Sequence, residues 1–233
     1  MRELRFTRER HRAVAVALAA LDGNFLMSAA CAFAGGTRIV LELDEYRESE
    51  DLDFLCADTA GYRLLRSEVT HTSLGKILRA PMRLAREVRA DRYGIRTVLD
   101  VAGHLLKFEM VLEGRIAIVA EAVPGTEVPC LDQVSCVAEK FLANADRGLD
   151  EAFLGRDVID LSFMIDAWGV GIAKKGLAVA REVYGDVVVK TAGRAAVRML
   201  EDSAWRTRCI TRLAVSGTPR LMAGLRALVK TTR

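Results

Sequence analysis

"GGTRIVLELDEYRESEDLDF", residues 35–54, sets paired glycines and a hydroxyl ahead of a short apolar segment and then an Asp-x-Asp. The run before it, FLMSAACAFAGG (25–36), is apolar and ends on the glycines, the pattern of a buried strand entering a tight turn. TRIVLEL (37–43) reads as a helix. DLDFLCA (51–57) alternates like a strand, with Asp51, Asp53 and Leu55 on one face and Leu52, Phe54 and Cys56 on the other. Strand, glycine turn, helix and a second strand carrying two carboxylates define an α+β unit with a mixed sheet.

Outward from this stretch, residues 8–21 read as a helix capped by Thr7, and residues 59–69 as another. KILRAPMRLAREVRADRYGIR (76–96) reads as a helix with Arg79, Arg83 and Arg86 on one face and Pro81 in its first turn. RTVLDVA (96–102), HLLKFEMVLE (104–113) and RIAIVAE (115–121) read as a three-stranded antiparallel meander broken at Gly103 and Gly114. Beyond Pro129 the pattern is helical to the end. The expected organisation is a sheet-bearing domain over 1–128 and a helical domain over 129–233.

With 233 residues, 51% of them apolar, the chain can bury a core of its own. The basic start MRELRFTRERHR followed by AVAVALAAL looks superficially like a leader. Acids interrupt the basic part and no run reaches the ~18 apolar residues of a spanning helix. The reading is a soluble amphipathic helix with no membrane partner. Five cysteines without a C-x-x-C pair read as reduced thiols of a cytoplasmic protein, and three scattered histidines argue against a histidine metal site. The net charge is +3, but residues 170–233 hold 13 Lys or Arg against 4 Asp or Glu, leaving 21 against 27 in the rest. An acidic half suits a cation and a basic half suits a polyanion such as nucleic acid.

Asp51 and Asp53, two residues apart on a strand, present oxygens to one hard divalent cation or two. Two such ions stabilise the attacking and leaving oxygens of an in-line displacement. Glu109, mid-strand in HLLKFEMVLE, is the candidate third metal ligand. It reads equally as a solvent-facing partner of Lys107. Gly35 and Gly36 let backbone approach a phosphate, the N–H groups of the following helix point at it, and Thr37 adds a hydroxyl.

AGGTRIVLELDEYRESEDLDF (34–54) resembles the first motif of the AbiEii-type nucleotidyltransferases of the DNA polymerase β-like superfamily, toxins of type IV toxin–antitoxin and abortive-infection systems. AEKFLANADRGLDEAFLGRDVIDLSF (138–163) is similar to that family's later pattern of Glu-Lys, a spaced Arg and Arg-Asp-x-x-Asp-Leu. The resemblance implies a polymerase β-like sheet domain followed by helices. It implies nucleotide-binding roles for Gly35, Gly36, Thr37 and Arg47, and Mg²⁺ or Mn²⁺ ligation by Asp51 and Asp53. Lys140 would neutralise the triphosphate, Asp160 takes the place of the last catalytic aspartate, and Arg147, Arg156 and Asp157 match further polar positions. The implied reaction is nucleotide transfer from a nucleoside triphosphate to an acceptor, a tRNA 3′ end by analogy, with a cognate antitoxin as partner.

On spacing alone, Lys140, Asn144 and Arg147 share a helix face, and Arg156 and Asp160 are i, i+4 partners. The basic faces around Arg79, Arg83 and Arg86, and around the pairs Arg194 with Arg198 and Arg208 with Arg212, are places for an acceptor. A protein or small-molecule acceptor, or a non-catalytic binding module on the same scaffold, are the alternative readings.

Overall fold

The computed structural model describes residues 6–233, so the first five residues of the basic N-terminal run lie outside the described residues. The chain folds into two units. One comprises the stretch up to Leu41 with Ser49–Asp132, the other Glu42–Glu48 with Gln133–Arg233.

The first unit opens with helices α1 (Glu9–Ala19) and α2 (Gly23–Ser28), then β1 (Cys31–Phe33), α3 (Gly35–Glu42), β2 (Leu52–Cys56) and α4 (Thr59–Glu68). FLMS therefore ends a helix, started by Asp22 accepting from the Phe25 N–H, and the strand expected across this run occupies only its last part. Asp58 caps α4 in the same way, through the Gly61 N–H. The remaining strands are β3 (Arg83–Leu84), β4 (Arg89–Ala90), β5 (Gly94–Val101), β6 (His104–Leu112), β7 (Ala120–Glu121) and β8 (Cys130–Leu131).

They form one mixed sheet in the order β3-β5-β6-β2-β1-β8-β7, with β4 also on β5. β2 runs parallel to β6 and antiparallel to β1. Phe33, Phe54 and Phe108 lie side by side on one face, with ring centroids 5.4 and 5.7 Å apart. Val14, Ala17, Leu26, Tyr62 and Leu65 from α1, α2 and α4 join them in the buried core. Each such side chain removed from water contributes roughly 1.5–3 kcal/mol.

Two expectations fail in this unit. Residues 76–96 hold a 3₁₀ turn (Gly75–Ile77) and the short strands β3 and β4 instead of a helix. Arg79 bonds Ala19 O and Glu127, while Arg83 pairs with Asp100 across β5, so the three arginines share no helical face. A proline and the pull of an available sheet edge outweigh the helical spacing. RIAIVAE, likewise, does not extend the β5–β6 hairpin. Only its last two residues are strand, paired with β8 at the far end of the sheet.

The second unit contains α5 (Gln133–Arg147), α6 (Arg156–Tyr184), α7 (Val187–Glu201), α8 (Ser203–Arg212) and α9 (Thr218–Thr231). α6 is interrupted at Gly169, where φ is 87° and ψ 162°. Small residues set the helix crossings. A Cβ on Gly176 would meet Val137 of α5, and one on Gly224 of α9 would come 2.6 Å from the Ser162 carbonyl carbon of α6. Backbone cannot yield as a flexible side chain does, so Gly224→Ala is expected to cost about 1–3 kcal/mol. Gly171→Ala, which meets nothing within 4 Å, should be neutral or slightly stabilising. Thermal unfolding followed by circular dichroism checks the contrast, and equal melting temperatures for the two variants would refute it.

Candidate active site

In the sheet unit the face opposite the phenylalanines is charged. Asp53 is the register partner of Glu109 on β6, and Glu109 is the register partner of Arg96 on β5. Strand alternation therefore puts Asp53, Glu109 and Arg96 in one row across three strands. Arg96 Nε donates to Glu109 Oε1 at 2.5 Å. Asp51, one step up the same face, stands 3.9 Å from Lys107 Nζ. Glu50, beside it, is paired with Arg10.

Ala34 N donates to Asp53 O at 2.8 Å, which carries the β1–β2 ladder directly into the glycine turn. Gly35 then has φ +70°, and a Cβ there would lie 2.9 Å from the Asp53 Cβ and against its carboxylate. Only glycine fits both the left-handed backbone and the space. Gly36 follows inside the first turn of α3. The Thr37 side chain is fully buried and its hydroxyl lies 2.8 Å from Ser49 Oγ.

Among the described residues, no group of three or more His, Cys, Asp or Glu side chains gathers as a metal cage. Glu109 is beside Asp53 in register and accepts from Arg96. Asp51 and Asp53 with a glycine cradle still suit a hard cation of the Mg²⁺ type. Such ions are commonly held by one or two carboxylates while substrate phosphates and water complete the shell.

The other motif residues form a buried network in the helical unit. Asp160 on α6 has no exposed surface. It accepts from Tyr46 Oη at 2.6 Å, from Arg47 Nε at 2.7 Å and Nη2 at 2.8 Å, and pairs with Lys140 Nζ at 2.6 Å. Lys140 also donates to Asp157 Oδ1 at 3.0 Å, and Arg147 closes on Asp157 with bonds of 2.7 and 3.1 Å. Tyr46 stacks on Phe163 with centroids 3.9 Å apart and planes 13° from parallel.

Burial by itself would raise the Asp160 pKa, but Arg47 and Lys140 overcome it and hold the carboxyl below its ordinary range. Asp157 is depressed likewise, with Lys140 and Arg147 outweighing its burial. Burial would lower Arg47, and Asp160 more than reverses it. The Tyr46 phenol is pushed well up, by burial first and then by Asp160.

Lys140 and Arg47, 6% and 4% exposed, direct their charges at carboxylates of their own chain. Asp160 is enclosed by three donor residues. Its partners are Arg47 and Lys140 in place of Arg156, whose guanidinium lies over the Phe153 ring. Tyr46 is the member that sequence reasoning missed. A tyrosine beside the motif arginine was the available signal, but nothing local ties it to a helix over a hundred residues away.

Comparison with known proteins gives the family. A sequence profile described as "Nucleotidyl transferase AbiEii toxin, Type IV TA system" matches residues 17–209. The chain belongs to the AbiEii family of nucleotidyltransferase toxins of type IV toxin–antitoxin systems.

Two solved structures share the fold. One, a candidate nucleotidyltransferase from H. pylori, superposes with a TM-score of 0.54 at 13% identity, covering 97% of this chain and 94% of that one. The other, JHP933 from Helicobacter pylori, gives a TM-score of 0.52 at 14% identity, covering 97% and 91%. No curated protein matches the sequence. The fold is thus the α+β nucleotidyltransferase type with a helical C-terminal part. Among the described residues no helix is long and apolar enough to cross a membrane.

The network fixes a pH response. A folded-state pKa held below the unfolded carboxylate value near ~3.9 stabilises the fold above that value, and the contribution is lost as pH falls through the folded one. The urea midpoint should therefore drop steeply below about pH 4. Asp160→Asn leaves Arg47 and Lys140 without their shared carboxylate and is expected to cost about 3–5 kcal/mol at neutral pH, with a shallower acid limb. Urea titrations from pH 7 to pH 2.5 check both effects, and an unchanged midpoint at pH 7 would refute the network's role.

Proposed function

We propose that the protein transfers a nucleotide from a nucleoside triphosphate to an RNA acceptor, a tRNA 3′ end, with Mg²⁺ or Mn²⁺ held by Asp51 and Asp53. The observation that carries the reading is the juxtaposition of the Gly35 turn with the Asp53 carboxylate, in register with Glu109. A left-handed glycine packed directly against the Asp53 carboxylate brings the start of α3, with its backbone N–H groups, beside a carboxylate able to hold a cation.

In this mechanism the N–H groups at the start of α3 receive the triphosphate, and Gly35 and Gly36 keep the approach open. The cation, when bound, neutralises phosphate charge and polarises the reacting phosphoryl group. Glu109, its rotamer fixed by Arg96, accepts the proton of the acceptor hydroxyl. The new bond joins that oxygen to the α-phosphorus, and the bond to the β-phosphate oxygen breaks as pyrophosphate leaves. Arg47, Lys140 and Asp160 act on the architecture of the helical unit without meeting the reacting atoms. Most of the acceleration comes from positioning and charge stabilisation, as in other phosphoryl transfers. Family membership supports a cytoplasmic toxin neutralised by a cognate antitoxin.

Incubation with labelled nucleoside triphosphates, Mg²⁺ and total tRNA should label tRNA. Asp51→Ala and Asp53→Ala are each expected to reduce transfer on the order of 100-fold or more, because a cation ligand is lost. Glu109→Gln should lower the maximal rate more than the apparent triphosphate affinity. Full activity in either aspartate variant would sink the site, and label appearing only in protein or small molecules would replace the acceptor.

A further inference from the structure

Within the helical unit, α7 carries Lys190, Arg194 and Arg198 at i, i+4 and i+8. Residues at that spacing share one side of a helix and here extend over about 12 Å. They border an open cleft of about 810 Å³ whose floor is apolar, with Leu149 and Val197 among its lining residues and no acidic side chain. An adjoining hollow of about 410 Å³ continues the positive surface through Arg208 and Arg212 of α8.

The arginines at the junction of the two hollows are ordered before any ligand arrives. Arg198 lies 4.4 Å from the Trp205 ring centroid and Arg208 lies 5.4 Å from it. Glu151 pairs with both and, among the described residues, is the one acid lining either hollow. Cations held in this way lose little freedom on meeting an anion.

We propose that this band of five cations on α7 and α8 is a docking surface for the phosphodiester backbone of RNA. Resting on the reading that the acceptor is RNA, the proposal deepens it by assigning the surface that holds the acceptor's body. Charge complementarity selects the partner, and the length of the band selects a polynucleotide over a single nucleotide. Trp205 is 7% exposed and flanked by two guanidiniums, so it offers no ring for base stacking. Recognition is therefore of the backbone and independent of sequence.

The experiment is fluorescence anisotropy of the full-length chain with a 5′-fluorescein tRNA transcript across a salt series. Lys190→Glu/Arg194→Glu leaves the Trp205 and Glu151 contacts in place and is expected to raise Kd at least tenfold. Removal of two phosphate contacts should also flatten the dependence of log K on log salt by about 1.5. Lys174→Glu/Lys175→Glu, an equal charge change on exposed residues of α6, should alter Kd less than threefold. An unchanged Kd in the α7 variant, equal weakening by the α6 variant, or displacement of the transcript by polyglutamate as effective as by unlabelled RNA would each overturn the proposal.

Transfer to a saturating trinucleotide acceptor separates the two readings. The α7 variant should retain wild-type kcat with that substrate. If no labelled nucleotide is transferred by any form while the α7 variant still loses RNA affinity, the transferase reading fails and the docking surface stands.

Discussion

Asp160 sits with no exposed surface between a tyrosine, an arginine and a lysine, and the helical unit is arranged so that this charge is never left alone. A carboxylate taken out of water costs several kcal/mol unless donors surround it, and removing one partner leaves the others uncompensated. Its partners come from α5 and from residues 46 and 47, well over a hundred positions earlier in the chain. Residues 42–48 therefore leave the sheet and join the helices. The excursion has a local conformational cost, since Asp44 and Glu45 both hold left-handed backbone, at φ 64° and 52°. Several contacts offset it. Trp168 donates to Glu42, Arg220 pairs with Asp44, and Tyr46 and Glu48 exchange backbone bonds with Ser216 and Leu213.

The sheet unit solves a different problem. Alternation along β2 divides an apolar face, where three phenylalanines run side by side, from a face carrying Asp51 and Asp53. Register with β6 then brings Glu109 alongside Asp53, and β5 adds Arg96. Each carboxylate that reaches this face is thus steadied by strand geometry that the buried phenylalanines enforce. A one-residue slip would turn the acids into the core.

Much of this was readable in the sequence because it rests on local rules. The strand at 52–56, the helix after the paired glycines and the β5–β6 hairpin follow from alternation, glycine and turn position. The arginine-rich run 76–96 misled for the same reason, since helical spacing of Arg79, Arg83 and Arg86 says nothing of an adjacent sheet edge that offers hydrogen bonds. RIAIVAE was short and apolar enough to be strand, but pattern alone does not choose the neighbour with which a strand pairs. Thr37 read as a ligand donor because its hydroxyl follows the glycines; the Ser49 hydroxyl beside it is brought near only by the return of the chain.

Sequence by itself determined the residue types and their order: glycines before a helix, two aspartates on one strand face, a lysine and two aspartates on later helices, and positive charge gathered after residue 170. These are one-dimensional facts, and the nucleotidyltransferase reading came from the resemblance of two such stretches to the motifs of one family. Only the tertiary structure decided which charges meet one another. Arg47, Lys140 and Asp160 match motif positions in the sequence, burial leaves each of them needing an opposite charge, and the fold supplies those charges from within. Partner choice for a buried ion depends on distance in space, to which separation along the chain is no guide.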